Sequence, residues 1–251
     1  MNYNDYLTLN YIWIAIAVVV FIVLIFITAP YGRHTKKNWG PLISNRLGWI
    51  IMEVFVLLVL FYFIATGSQK QSITNLIILS LFALHYINRS LVFPFRIKTK
   101  GKKMPVVIML MGMTFNLANG FLIGYYFGNF KTYDLGWLSS PVFIIGSIVF
   151  ITGMAINWQS DNTLIRLRKP GETGYKIPTG GLFKYVSAPN LFGEIVEWLG
   201  FAILTWSLPG LTFFVWSFAN LVPRAIAHHK WYQEKFPEYP KERRAVFPKV
   251  L

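Results

Sequence analysis

The stretch "APNLFGEIVEWLGFAIL", residues 188–204, opens like a membrane helix and then sets Glu194 and Glu197 among Phe, Ile, Val, Trp and Leu. On a helix Asn190, Glu194 and Glu197 fall at i, i+4 and i+7, so they form one polar stripe. A charged side chain at mid-bilayer costs about 2.5–3.5 kcal/mol on insertion scales. Such residues are therefore paired, face a cavity or serve a function. The stripe predicts a helix whose polar edge turns into a bundle and away from lipid.

The rest of the chain agrees with a lipid setting. Its 251 residues are 55% hydrophobic, 18% aromatic and only 14% charged, with mean hydropathy +0.47, a departure from soluble domains towards integral membrane proteins. Apolar runs near 11–29, 47–66, 72–93, 104–127, 139–157, 190–207 and 210–228 are long enough to span a bilayer. They predict an all-α, polytopic membrane protein with seven transmembrane helices and a single domain over 1–251, the last two helices joined tightly at Pro209-Gly210. The first run follows Asp5 with no basic residue before it and is too long for a signal-peptide core, so it is expected to remain as a helix.

Charge placement orients the helices. The formal charge of +14 gathers in "YGRHTKKNWGPLISNR", in "FRIKTKGKK", in residues 158–189 and in the tail after 229, which share one side of a seven-span arrangement. The other side holds only Lys70 and Lys131 in its loops. The positive-inside rule then puts the N-terminus outside and the C-terminus in the cytoplasm. Basic segments between apolar runs suit anionic lipid or a phosphorylated ligand, not nucleic acid. With no Cys, disulfides and thiolate chemistry are excluded.

The connection "WQSDNTLIRLRKPGETGYKIPTGGLFKYVSA" is too rich in Gly, Pro and placed polar residues for a slack linker. Turns at Pro170-Gly171 and at 178–181 would bring Arg168, Tyr175 and backbone amides together, an arrangement suited to a phosphate-bearing nucleotide. Neither G-x-G-x-x-G nor a P-loop occurs, so a Rossmann or Walker site is not indicated. The last helix carries a second stripe, Arg224, His228 and Tyr232, just after Pro223, which should kink or restart it. A structural clamp between Glu197 and Arg224, His228 or Lys230 explains that carboxylate about as well as a ligand does. His228 and His229 point apart on a helix and no HExxH occurs, so no metal site is expected.

From "NWQSDNTLIRLRKPGETGYKIPTGGLFKYVSAPNLFGEIVEWLGFAILTWSLPG" to "RAIAHHKWYQEKFPEYPKERRAVFPKVL", the chain closely resembles the membrane-embedded steroid 5α-reductases, and "HYINRSLVFPFR" resembles their third-span signature. The likeness is strong over about the C-terminal 60% of the chain and weak over the first two spans. It implies a seven-helix fold that binds NADPH from the cytosol and reduces the Δ4 double bond of a 3-oxosteroid. It also implies a division of labour, with residues of about 1–127 mainly on the substrate side and about 139–251 mainly on the NADPH side.

Residue by residue, the resemblance implies that Asn157, Asp161, Arg168, Tyr175, Asn190, Glu194, Arg224, His228 and Tyr232 surround NADPH. Their chemistry agrees, since Arg168 and Arg224 can neutralise phosphates and Asp161 can accept from a ribose hydroxyl. Glu194 is then the ligand contact and Glu197 the partner of an internal basic group. The family counterparts of Glu53 and Tyr86 bind the substrate carbonyl. Tyr86 can donate to an oxygen that gains negative charge during conjugate hydride addition, with Glu53 orienting it or donating a second hydrogen bond. His85 and Asn88 are read as packing or interface residues, and a Glu53–Arg89 pair is the alternative for Glu53. The chain departs from the family's Gln-Glu at Met52-Glu53. Related activities keep other readings open: reduction of another enone or enoyl lipid of the polyprenol or enoyl-CoA type, an isoprenylcysteine-type methyltransferase, or a non-catalytic sterol-binding protein. Membrane lipids and a hydrophobic substrate are the expected partners, and nothing in the sequence requires more than one copy of the chain.

Overall fold

A computed structural model describes residues 1–30, 32–34, 39–97, 101–167, 172 and 174–251. Its long helices are α1 (Tyr3–Phe26), α2 (Asn45–Ala65), α3 (Ile73–Ile87), α5 (Val106–Asn129), α6 (Pro141–Arg166), α7 (Pro189–Thr205) and α8 (Leu208–Lys235), with a short α4 (Phe93–Arg96) continuing α3. Several starts are fixed by side-chain caps that take up orphan amides. Asn2, Ser72, Ser140 and Ser207 accept from the backbone N–H of Asp5, Asn75, Phe143 and Gly210.

Six helical segments are long and apolar enough to cross a membrane by length and composition: Tyr3–Phe26, Asn45–Ala65, Ile73–Arg96, Val106–Asn129, Pro141–Arg166 and Leu208–Lys235. The expected span at 190–207 forms as α7, but its 17 residues rise only about 26 Å, short of a hydrocarbon core of about 30 Å. It is instead the helix most enclosed by its neighbours, packed along α6 and α8. The turn between α7 and α8 also differs from the expected site. Trp206 takes the left-handed conformation (φ 42°) and ends α7, whereas Pro209 and Gly210 belong to the first turn of α8.

Small residues decide how closely α6 and α7 approach. A Cβ at Gly146, Gly153 or Gly200 would run into the backbone of Leu204, Glu197 or Phe150 respectively. The contacts descend one helix as they climb the other, an antiparallel pair sewn by small residues as in membrane helix packing. The α2–α5 pair is parallel, with Gly120 against Val56 and Val59, and Gly124 against Leu60. One aromatic-rich core, including Tyr6, Phe82, Tyr86, Phe127, Trp198 and Phe213, draws on both halves of the chain.

The basic connections meet at one end of the bundle. A two-stranded antiparallel sheet joins β1 (Leu42–Ser44) to β2 (Lys103–Pro105). Lys102 Nζ donates to the Tyr175 hydroxyl at 3.4 Å, Arg224 donates to the Ala29 carbonyl at 3.0 Å, and Val186 bridges to Arg244. The opposite end gathers the other loops. There Gln69 N–H donates to the Gly128 carbonyl at 2.8 Å, and the Tyr133 hydroxyl donates to the Thr205 carbonyl. Burial pushes the Tyr133 phenol well above its ordinary range, so it stays a donor at any working pH.

Two sequence boundaries shift with consequences for the site. Helix α6 continues to Arg166, beyond the expected 157, because Asn157, Ser160 and Asp161 are buried and Asn157 and Asp161 have partners on α7. Pro223 does not restart α8 as a separate element, since the helix runs through it to Lys235.

Candidate active site

The site begins where α3 stops being a regular helix. Pro94 has no amide hydrogen and cannot continue the ladder. The chain accommodates it with a π turn over Asn88–Val92, in which Phe93 N–H bonds to the Asn88 carbonyl, before α4 starts with Pro94 in its first turn. Turns of this kind insert one residue and re-aim side chains. Here the turn carries Arg89 inward, against the faces of Trp49 and Phe93 at 5.1 and 5.2 Å.

Arg89 lies among carboxylates from three other helices. Its guanidinium is 3.9 Å from Asp161 of α6 and 3.7 Å from Glu194 of α7, and Glu53 of α2 feels its charge. Asn190 Nδ2 donates to Asp161 Oδ1 at 3.0 Å, and Asn157 Nδ2 donates to the Asn190 carbonyl at 3.0 Å. The polar stripe of α7 is thus divided among partners along its length: Asn190 to Asp161, Glu194 to Arg89, and Glu197 to His85.

The last of these pairings differs from the expected clamp. Glu197 Oε1 is 2.9 Å from His85 Nδ1 on α3, with the two side chains 0% and 4% exposed, and it does not pair with Arg224, His228 or Lys230. Geometry explains the choice, because Glu197 sits at the close approach of α7 to Gly153, facing the bundle centre, while the second stripe is occupied elsewhere. Arg224 serves the Ala29 carbonyl and His228 stacks on His34, centroids 5.6 Å apart. His85 is therefore a functional candidate that sequence reading set aside as packing. Its signal was present, for His85 and Arg89 are i and i+4 in "HYINR" and so share a face.

Below Arg89 a cleft of about 210 Å³ opens, lined by Phe93, Asp161, Tyr175, Asn190 and Tyr232 among others. Four candidates from distant parts of the sequence, Asp161, Tyr175, Asn190 and Tyr232, thus line one cavity, with Asn157 bonded to Asn190 and Glu194 linked to Asp161 through Arg89. Arg224 lies against Ala29 and Gly32, and His228 against His34. Arg168 and the Pro170-Gly171 turn lie outside the described residues. The turn at 178–181 is formed with Gly180 and Gly181 at φ 82° and 50°, which non-glycine residues rarely adopt. No cluster of His and carboxylate groups able to hold a metal occurs among the described residues.

The charge of Arg89 also acts on Glu53 and Tyr86, the residues expected on the substrate side. Tyr86 is 4% exposed and its ring packs on Phe82, His85, Trp198 and Phe213. The charges acting on it are Glu53, Glu194, Arg89 and Glu197. Asn116 of α5, 2% exposed, donates to the Met52 carbonyl at 2.6 Å and lies within reach of Glu53. Asn116 escaped sequence reading because a lone Asn in an apolar helix carries no spacing signal.

A family profile described as 3-oxo-5-alpha-steroid 4-dehydrogenase matches residues 102–251. Over 244 residues the chain is 43% identical to 3-oxo-5-alpha-steroid 4-dehydrogenase 1 of Bos taurus, covering 96% of this chain and 95% of that protein. It is 43% identical over 239 residues to steroid 5-alpha-reductase DET2 of Arabidopsis thaliana, covering 91% and 90%. To 3-oxo-5-alpha-steroid 4-dehydrogenase 1 of Homo sapiens it is 42% identical over 220 residues, covering 87% and 85%.

Proposed function

The chain belongs to the 3-oxo-5-alpha-steroid 4-dehydrogenase family, and from that premise we propose that it is a membrane oxidoreductase that uses NADPH to reduce the Δ4 double bond of a 3-oxosteroid. The observation that carries this reading is the position of Arg89. Its guanidinium is 3.9 and 3.7 Å from Asp161 and Glu194, beside a polar cleft suited to a dinucleotide, and its charge acts on Glu53 and Tyr86, which we assign to enone activation.

The donor and acceptor set of the cleft fits such a cofactor. Asp161 is an acceptor for ribose hydroxyls, Asn190 and Asn157 offer amide groups, and Tyr175 and Tyr232 offer aromatic faces and hydroxyls. Arg168 and Arg224 would neutralise the phosphates beyond the cleft, with His228 beside Arg224, and Glu194 would accept from the cofactor while Arg89 compensates its charge. When bound, NADPH supplies a hydride. The chain's residues then do the rest. Tyr86 donates a hydrogen bond to the 3-oxo oxygen, where negative charge grows as the β-carbon becomes saturated, and stabilises the resulting enolate. Glu53, held near Asn116, orients the phenol. The surrounding rings of Phe82, Trp198 and Phe213 exclude water, which strengthens that hydrogen bond.

On the same reading α7 is a seventh, short crossing whose polar edge is lined by protein. The basic end of the bundle faces the cytoplasm, which is where NADPH is available. Residues of about 1–127 then build mainly the substrate side and residues of about 139–251 mainly the cofactor side. The test is product analysis by mass spectrometry with purified protein, NADPH and a panel of 3-oxo-Δ4-steroids, polyprenals and enoyl thioesters. A 5α-reduced steroid formed in step with NADPH oxidation is the expected result. Turnover of an enoyl thioester alone would reassign the substrate.

A further inference from the structure

We propose that the buried His85–Glu197 pair is the proton reservoir of the reaction, held as imidazolium and carboxylate, and that it recharges the Tyr86 hydroxyl. This inference rests on the reductase reading above. Saturation of an enone by hydride consumes one proton for each turnover, and neither the cleft residues nor Glu53 has been assigned to supply it. Glu197 is likewise left over, since it touches none of the cleft and its Oε2 has no hydrogen-bond partner among the described residues.

The geometry favours His85. Consecutive helix residues ordinarily diverge by about 100°, yet the rings of His85 and Tyr86 meet edge to face with centroids 5.1 Å apart. Trp198 closes the far side of the imidazole at 4.6 Å. Glu197 Oε1 holds Nδ1 at 2.9 Å, which fixes the ring and leaves Nε2 as its second proton-bearing atom. Such a pair survives burial only if it is closely matched. The other charges acting on His85 are Glu194 and Arg89, and Arg89 also faces Glu53 and Asp161.

The bookkeeping closes. The hydride forms a C–H bond at the β-carbon, and the π electrons move to the carbonyl oxygen as an enolate. The Tyr86 O–H bond breaks and an O–H bond forms on that oxygen. The His85 Nε2–H bond then breaks to restore the phenol, leaving a neutral imidazole whose Nδ1–H still donates to Glu197. Tautomerisation of the enol to the ketone moves its oxygen-bound proton to the α-carbon without net change. A proton from bulk solvent, relayed by water, returns to His85 and restores the imidazolium.

The test compares wild type, Glu197→Gln and His85→Gln of the full chain, using NADPH and testosterone. Each Gln keeps a hydrogen-bonding side chain and removes the ability to hold the ion pair. Expected are an unchanged NADPH dissociation constant, a melting temperature lowered by loss of the buried pair, KM within a few-fold, turnover lower by about 10²-fold or more, and a larger solvent deuterium isotope effect. Infrared spectra of the protein without cofactor should show a carboxylate band that Glu197→Gln removes. Wild-type turnover with an unchanged isotope effect in Glu197→Gln, or a carboxylic acid band in place of the carboxylate, overturns the proposal. So does a loss of NADPH affinity in step with activity, which would make the pair a structural pin. Failure of wild type itself to oxidise NADPH with any enone defeats the reductase reading, and the proton reservoir falls with it.

Discussion

Asn190 Nδ2 donates to Asp161 Oδ1 at 3.0 Å, joining the first residues of α7 to the last turns of α6 at the wall of the cleft. Asp161 thereby keeps its second oxygen for Arg89 and for a ligand. Changing Asp161 to Asn preserves shape but removes the charge-assisted acceptor, a contact worth about 1.5–3 kcal/mol. NADPH affinity measured by fluorescence titration should fall roughly 10- to 150-fold. Unaltered affinity in a folded variant would remove Asp161 from the cofactor site.

Arg89 compensates Asp161 and Glu194 together, so Arg89→Ala should harm the protein more than any single change in the cleft. Removing one partner from a buried ion pair costs about 3–5 kcal/mol, and the low end applies because 17% of the Arg89 side chain is exposed. A drop of several degrees in melting temperature, recovered in part when NADPH is supplied to Arg89→Lys, is the expected outcome. Wild-type melting in Arg89→Ala would mean that the carboxylates need no internal cation.

The α6–α7 approach makes its own prediction. A Cβ at Gly153 would overlap the Glu197 backbone, whereas one at Gly174 meets nothing within 4 Å. Gly153→Val should therefore force the helices apart and disperse Glu197, Glu194 and Asn190 from their partners. A loss of both melting temperature and NADPH binding is expected, with Gly174→Ala as the neutral control. Normal binding in Gly153→Val would show that the site tolerates a displaced α7.

Topology is open to direct test. The strand pair β1–β2, the Arg224–Ala29 hydrogen bond and the Val186–Arg244 bridge place the basic segments at one end. A reporter at the C-terminus should be cytoplasmic and one at Lys131 external. Both on the same side would contradict an odd number of crossings.

Much of this was legible in the sequence because membrane helices announce themselves by length and hydropathy. The stripe of Asn190, Glu194 and Glu197 announces an inward edge by spacing. Three things were not legible. The end of α6 was misplaced, since polar residues read as loop until Asp161 is seen paired with Asn190 and Arg89. The partner of Glu197 was misplaced because His85 comes from a helix 112 residues earlier, and long-range pairing leaves no local periodicity. The π turn that aims Arg89 is likewise invisible except as a proline following a helical run.

The role of Tyr86 follows from its burial among Phe82, Trp198 and Phe213. Tyr86→Phe keeps the ring and its packing and deletes one hydroxyl. Turnover should fall about 10²–10³-fold, as for loss of one oxyanion donor, while NADPH affinity stays within two-fold or so of wild type.

The most direct measurement is a single turnover of purified wild type with testosterone and NADPH deuterated at the transferable position of nicotinamide C4, with the product analysed by mass spectrometry and NMR. The account predicts a 5α-reduced ketone carrying the deuterium at C5, the β-carbon of the enone, and a solvent-derived hydrogen at C4. Testosterone recovered unchanged, or a product with no deuterium at C5, would contradict it.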